Sequence, residues 1–141
     1  MVKIKAFRGI RPEKSIVKEV ASLPYDVLNS EEARVMAQEN PYSFLHIDKA
    51  EIDLDPTLSQ YDESVYKKAQ TNLAEFLEKG WLKKEADDAL YLYELTMNGQ
   101  SQLGLVTCTS IKDYLAGTIK KHELTRADKE IDRIKHIEAC D

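Results

Sequence analysis

Residues 63–109 read ESVYKKAQTNLAEFLEKGWLKKEADDALYLYELTMNGQSQLGLVTCT. In the first half, Tyr66, Ala69, Leu73, Phe76 and Leu77 recur at spacings of three and four. That is one apolar stripe of a helix predicted over 63–79. Asp62 can cap its start. Gly80 can supply the left-handed residue after its last turn, with Trp81 and Leu82 folding back as a hydrophobic closure. The second half predicts a hairpin of 89–97 with 100–109, because Asn98 and Gly99 both tolerate the positive φ of a type I′ turn. Tyr91, Tyr93, Leu95 and Met97 share one face of the first strand. Leu90 and Leu92 share the other, which predicts a strand covered on both sides near its start. Helix and hairpin together point to an α+β fold, a mostly antiparallel sheet with helices packed on one face.

Working outward, residues 2–8 alternate apolar and polar and predict a strand that Pro12 ends. It should join the hairpin in one sheet, together with a short strand at 43–47, Ser-Phe-Leu-His-Ile. Residues 14–21 predict a short helix, and Leu23-Pro24-Tyr25-Asp26 a turn. A helix over 31–39 starts after the capping residues Asn29 and Ser30 and stops at Asn40-Pro41. It and helix 63–79 should cover the sheet. Residues 48–60 are acidic, contain Pro56 and show no period, so a loop is expected. A short helix at 110–115 should end at Gly117. The last helix begins after Thr125, which forms a capping-box-like pair with Asp128. Ala127, Ile131, Ile134 and Ile137 make its apolar side.

The 141 residues fit one domain, so a single α+β domain over 1–141 is expected. With 43% hydrophobic and 32% charged residues, wholesale disorder is excluded. The net charge of −5 argues against direct nucleic-acid binding without a local basic patch. No apolar run reaches the roughly 18 residues of a membrane span, and the N-terminus has no apolar signal-peptide core. Cys108 and Cys140 lack metal-type spacing; reduced thiols and a cytoplasmic location are expected, with Cys108 a small buried hydrophobe in the hairpin. The last helix runs to Asp141 with no breaker. A truncated chain lacking a C-terminal half is therefore expected, with the isoleucine side of that helix free to drive homodimerisation.

One run carries most of the candidate chemistry. Arg126, Lys129, Arg133 and His136 lie at spacings of three, four and three, on one face opposite the isoleucines. Cations in a row beside a helix start suit a phosphate or carboxylate. His122 and Glu123, just upstream, are candidates for general acid or base. The bland alternative, favoured by spacing alone, is a set of ion pairs with the interleaved Asp128, Glu130 and Asp132. Tyr25 and Asp26 could present a phenol and an acid from a rigid loop, although a turn-closing Asp is the simpler explanation. His46 reads as a hydrogen-bonded structural residue in a strand. No metal site is expected from three scattered histidines. No glycine-rich phosphate loop exists.

Four ordered strings add a resemblance. They are Ala6-Phe7-Arg8-Gly9-Ile10-Arg11-Pro12, Leu23-Pro24-Tyr25-Asp26-Val27, Asn40-Pro41-Tyr42-Ser43-Phe44-Leu45-His46, and His122-Glu123-Leu124-Thr125-Arg126 with Lys129, Asp132 and Arg133. Together they resemble a bacterial and archaeal family of unknown function, number ten-fifteen among such domains. The resemblance implies that these residues are the N-terminal part of a protein about three times as long. Longer members carry a downstream segment of the type Asp-Gly-His-His-Arg-Tyr. It resembles the phosphate-binding box of ParB-like nucleotide domains, sulfiredoxin and free-serine kinases, and it is not present here.

Two classes of function follow, with a flatter third. In the first, the full-length protein is a nucleotide-dependent small-molecule phosphotransferase, inactive or incomplete as residues 1–141. Arg126, Lys129, Arg133 and His136 would hold a phosphorylated small molecule, and His122 or Glu123 would orient or deprotonate the acceptor hydroxyl. Magnesium would be expected, with Asp26 or Glu123 as its ligand. In the second, a non-enzymatic ParB-like domain binds nucleotide as a switch. In the third, the last helix is a scaffold for the rest of the protein.

Overall fold

The structure is a computed structural model and describes residues 1–120 and 126–141. In chain order the elements are β1 (Ile4–Lys5), β2 (Ile10–Pro12), a 3-10 turn (Lys14–Ile16) running into α1 (Val17–Val20), α2 (Ser30–Ala37), α3 (Leu45–Asp48), a 3-10 helix (Ala50–Asp53), α4 (Glu63–Glu78), β3 (Leu82–Lys84), β4 (Tyr91–Met97), β5 (Gln100–Val106), β6 (Cys108–Thr109), α5 (Ile111–Leu115) and α6 (Ala127–Cys140). Helices and antiparallel strand pairs make the fold α+β. The chain divides into two compact units, Met1–Arg11 with Lys84–Leu124, and Pro12–Lys83 with Thr125–Asp141. Among the described residues it passes from one to the other within β2 and within β3.

The first unit is built on the hairpin. Strands β4 and β5 pair antiparallel from Tyr91↔Val106 to Met97↔Gln100. Asn98 and Gly99 turn the chain with φ of 52° and 76°, the type I′ geometry that their sequence predicts. The N-terminal segment pairs beside the hairpin, through Ile4↔Thr109 and Lys5↔Cys108 and through a bridge of Phe7 with Ala89. The expected single sheet is not formed: β1 with β6, β2 with β3 and β4 with β5 are separate two-stranded sheets. Tyr91 locks that segment in place. Its hydroxyl accepts from the Gly9 N–H at 2.7 Å and donates to the Phe7 carbonyl at 3.2 Å. The two rings of Phe7 and Tyr91 lie 5.1 Å apart.

Two expectations for this unit are corrected. The start of β4 is not covered on both sides: Leu90 is 47% and Leu92 77% exposed. A two-stranded ribbon has no second layer to bury either face. For the same reason Cys108 is exposed rather than a buried hydrophobe.

The second unit holds the buried core. Val20, Ile47, Phe76 and Leu82 form one cluster, Ala33, Ala37, Leu45 and Ile52 a second, and Ala50, Val65 and Ala69 a third. Helix α2 opens with a full capping box. The Asn29 side chain accepts from the Glu32 N–H, and Glu32 returns the bond to the Asn29 N–H. Helix α4 is capped by Asp62 and buries Val65, Tyr66, Ala69, Asn72 and Phe76. Its expected stripe is rotated slightly, leaving Leu77 exposed. At its end Gly80 has φ 69°, the Gly80 N–H bonds Leu77 O, and the Trp81 N–H reaches Phe76 O. That pair of bonds is a Schellman motif, closed by Trp81 against the Phe76 ring at 5.0 Å.

Residues 43–47 are not a strand. The Ser43 hydroxyl accepts from the Leu45 N–H, the Phe44 N–H bonds Val20 O, and a helical turn follows. Leu45 and Ile47 are both buried because they enter different clusters, so alternation in five residues did not mark a sheet face. Residues 48–60 are not simply a loop either. Ala50, Glu51 and Ile52 are buried in the 3-10 helix at the centre of the unit.

Candidate functional site

Helix α6 packs with its polar face inward. Asp132 is 7% exposed, while Ile131, Ile134 and Ile137 stand 57%, 48% and 66% exposed. Hydrophobic patterning alone would bury the isoleucines. The inversion has named causes on α4, α3 and the loop before α2. The buried Tyr66 hydroxyl donates to Asp132 Oδ1 at 2.9 Å. Arg133 spans two carboxylates, Asp132 at 2.8 Å and Asp48 at 2.9 Å. Its guanidinium also lies over the Tyr25 ring, 4.1 Å from the centroid. His136 donates from Nε2 to the Ile47 carbonyl at 2.8 Å, which places a proton on that nitrogen.

These residues line one small cavity of about 20 Å³, together with Lys49 and Glu51 from the start of the 3-10 helix. The Lys49–Glu51 ion pair is nearly buried, at 3.0 Å with side chains 6% and 9% exposed. The Ser30 hydroxyl at the start of α2 donates to Glu51 Oε1 at 2.8 Å. Arg34, one turn on, holds the carbonyls of Glu51, Ile52 and Leu54. The 3-10 segment is therefore held against α2 at two points.

Burial penalises the Arg133 charge, but Asp132 and Asp48 outweigh it and raise its pKa further. Burial and then the Asp132 hydrogen bond push Tyr66 up to about 12, so its phenol stays a donor at neutral pH.

Three of the expected basic residues, Lys129, Arg133 and His136, thus meet at one cavity, with Tyr25. Lys129 Nζ lies 3.5 Å from the Tyr61 hydroxyl. Arg126 stands apart: it caps nothing with its side chain, pairs with Asp128 at 2.7 Å, and is largely exposed. Asp26 is exposed in the turn that Val27 N–H closes onto Pro24 O, and does not line the cavity. His122, Glu123 and Thr125, the expected cap of the last helix, lie outside the described residues; the residue at the cap position of α6 is Arg126. Sequence reading missed Asp48, Lys49, Glu51 and Tyr66. The signal was present in Asp48-Lys49-Ala50-Glu51-Ile52, where charges flank two apolar residues, but without a period it could not be placed on a face.

His46 sits in α3 rather than a strand, and it is hydrogen-bonded as expected. Its Nδ1 meets Asp53 Oδ1 at 2.8 Å and its Nε2 meets Asn40 O at 3.1 Å. Among the described residues no group of three or more His, Cys, Asp and Glu side chains is placed to hold a metal ion, and no helix is long and apolar enough to cross a membrane.

No curated protein and no solved structure matches this chain. The family model described as "Protein of unknown function (DUF1015)" matches residues 4–141, nearly the whole sequence. It is the family that the four strings resemble, and the chain belongs to it.

Proposed function

We propose that the protein is a nucleotide-dependent small-molecule phosphotransferase in which α6 supplies cations to phosphate oxygens. The observation that carries this reading is the meeting of Lys129, Arg133 and His136 of α6 with Lys49, at the start of the 3-10 helix, on one cavity. Phosphoryl transfer is mostly positioning and charge stabilisation, so fixed cations are the part a scaffold must supply. His122 or Glu123 orients or deprotonates the acceptor hydroxyl. A cavity of about 20 Å³ takes a water molecule, not a phosphate. An incoming phosphate must therefore displace Asp48 from Arg133. In this reading Asp26 or Glu123 is the magnesium ligand, and further protein sequence supplies the remaining nucleotide contacts.

A second reading is non-enzymatic: a ParB-like nucleotide switch, or a scaffold on which other protein packs. Its support is that Arg133, Lys49, Lys135 and Arg126 each already face a carboxylate. The isoleucine strip of α6 is then a surface for a second copy or for more of the same protein.

The test is transfer of phosphate from nucleotides to a panel of hydroxylated small molecules by the full-length protein. Turnover lost in Glu123→Gln with nucleotide binding retained supports the enzyme. Saturable nucleotide binding without turnover supports the switch. Binding unchanged in Arg133→Ala removes the α6 site from both. Residues 1–141 alone are expected to show weak turnover or none.

A further inference from the structure

A second cavity of the helical unit shares no residue with the α6 cluster. It is open, measures about 350 Å³, and runs between the turn at Pro41, the end of the 3-10 helix and one side of α4. That volume falls in the range of small-molecule sites. Its apolar part is the Phe76 ring, Trp81 and Pro41. Its charged part is His46, Lys68 and Lys79 facing Asp53 and Glu75.

The hydrogen bonds show which of these groups remain available. Both ring nitrogens of His46 face acceptors, Asp53 Oδ1 and the Asn40 carbonyl, so the geometry requires the imidazolium. Asp53 is used on both oxygens, by His46 and by the Asn72 amide at 2.8 Å. Asn72 is buried, and its amide also donates to the His46 carbonyl. Glu75 is paired with Lys79, whose ammonium lies 4.4 Å from the Trp81 ring centroid. Lys68, half-buried on α4, makes no hydrogen bond or ion pair among the described residues. With His46 charged, three cations face two carboxylates, a surplus of one positive charge beside an aromatic wall.

We propose that this cavity is a binding site for a small organic monocarboxylate, its carboxylate on Lys68 and its apolar body against Phe76 and Trp81. One surplus charge matches a monoanion, whereas a phosphate dianion would leave the site negative. The rigid His46–Asp53–Asn72 network presets the cavity edge, so little ordering is needed on binding.

Trp81 is the single tryptophan of the chain and lines this cavity, so its fluorescence reports occupancy. Benzoate and a panel of aliphatic and aromatic monocarboxylates should each be titrated, beside neutral benzamide and inorganic phosphate. Saturable changes with monocarboxylates, none with benzamide, and affinity weakened about tenfold in Lys68→Ala and Lys68→Met are expected. Both substitutions sit on a helix surface and should leave the thermal midpoint near that of the parent. No saturable change across the panel overturns the site. So does equal affinity in the Lys68 variants, or phosphate binding as tightly as the best carboxylate.

Discussion

The phenol of Tyr66 donates to the carboxylate of Asp132 at 2.9 Å, and the two side chains are buried although 66 positions separate them. This bond ties α6 to α4 and turns the polar side of α6 inward. Tyr66→Phe keeps the ring but strands Asp132 Oδ1 without its donor. A buried acceptor left unpaired costs about 1–3 kcal/mol. The urea unfolding midpoint should fall accordingly; an unchanged midpoint would mean that Tyr66 is dispensable for docking α6.

Arg133 answers two carboxylates at once. In Arg133→Ala, buried Asp132 loses its counter-charge, and the loss should reach about 3 kcal/mol. Asp48→Asn should cost less, about 1 kcal/mol or below, because Asp48 and Arg133 are each partly exposed. Arg133→Lys should not restore the parent stability. An ammonium cannot bridge both acids while stacking on Tyr25. Equilibrium denaturation of the three variants ranks them directly.

The His46–Asp53 pair predicts a pH profile. The Asp53 hydrogen bond is the largest influence on His46 and raises its pKa above the ordinary 6.5, against the opposing effect of burial. Burial alone would raise Asp53, but the His46 contact reverses that and leaves it below 3.8. A raised histidine stabilises fully below about 6.5, and the contribution fades as pH climbs through the folded value. A depressed carboxylate stabilises above about 3.8 and fades as pH falls through its folded value. The pair is therefore strongest between these limits. Denaturation midpoints should decline on the alkaline side in the parent and decline less in His46→Gln.

Gly9 is required by the Tyr91 hydroxyl. A Cβ at Gly9 would come within 2.8 Å of Tyr91 Oη. Gly9→Ala should cost about 1–3 kcal/mol through overpacking. Adding Tyr91→Phe removes the clashing oxygen and should recover part of that loss. A double-mutant cycle measures the coupling.

Much of the fold was legible because local chemistry specified it. Asn98-Gly99 set the hairpin register, Gly80 set the end of α4, and Asn29 set the start of α2, with Ser30 in its first turn rather than a second cap. The stretch 43–53 was not legible. Leu45 and Ile47 are buried on different sides of one short turn, and the buried Lys49–Glu51 pair depends on Ser30 and on the α6 cavity, neither adjacent in sequence. The spacing of the basic residues on α6 placed four of them on one side; Lys129, Arg133 and His136 do share the cavity, while Arg126 stands apart. Which side packs inward was decided by Tyr66, Asp48 and Tyr25, and no helical periodicity encodes a partner on another element. The pairing of these cations with acids was also foreseeable from the interleaved Asp128 and Asp132, but the contribution of Asp48 was not.

The Arg133–Asp48 contact joins positions 85 residues apart, and the whole hairpin is synthesised between them. At ribosomal rates that interval is on the order of ten seconds. Until α6 emerges, a nascent chain presents Tyr66, Asp48 and the Lys49–Glu51 pair without their cover. That exposed interval is when chaperone engagement or proteolytic attack on the helical unit should be concentrated.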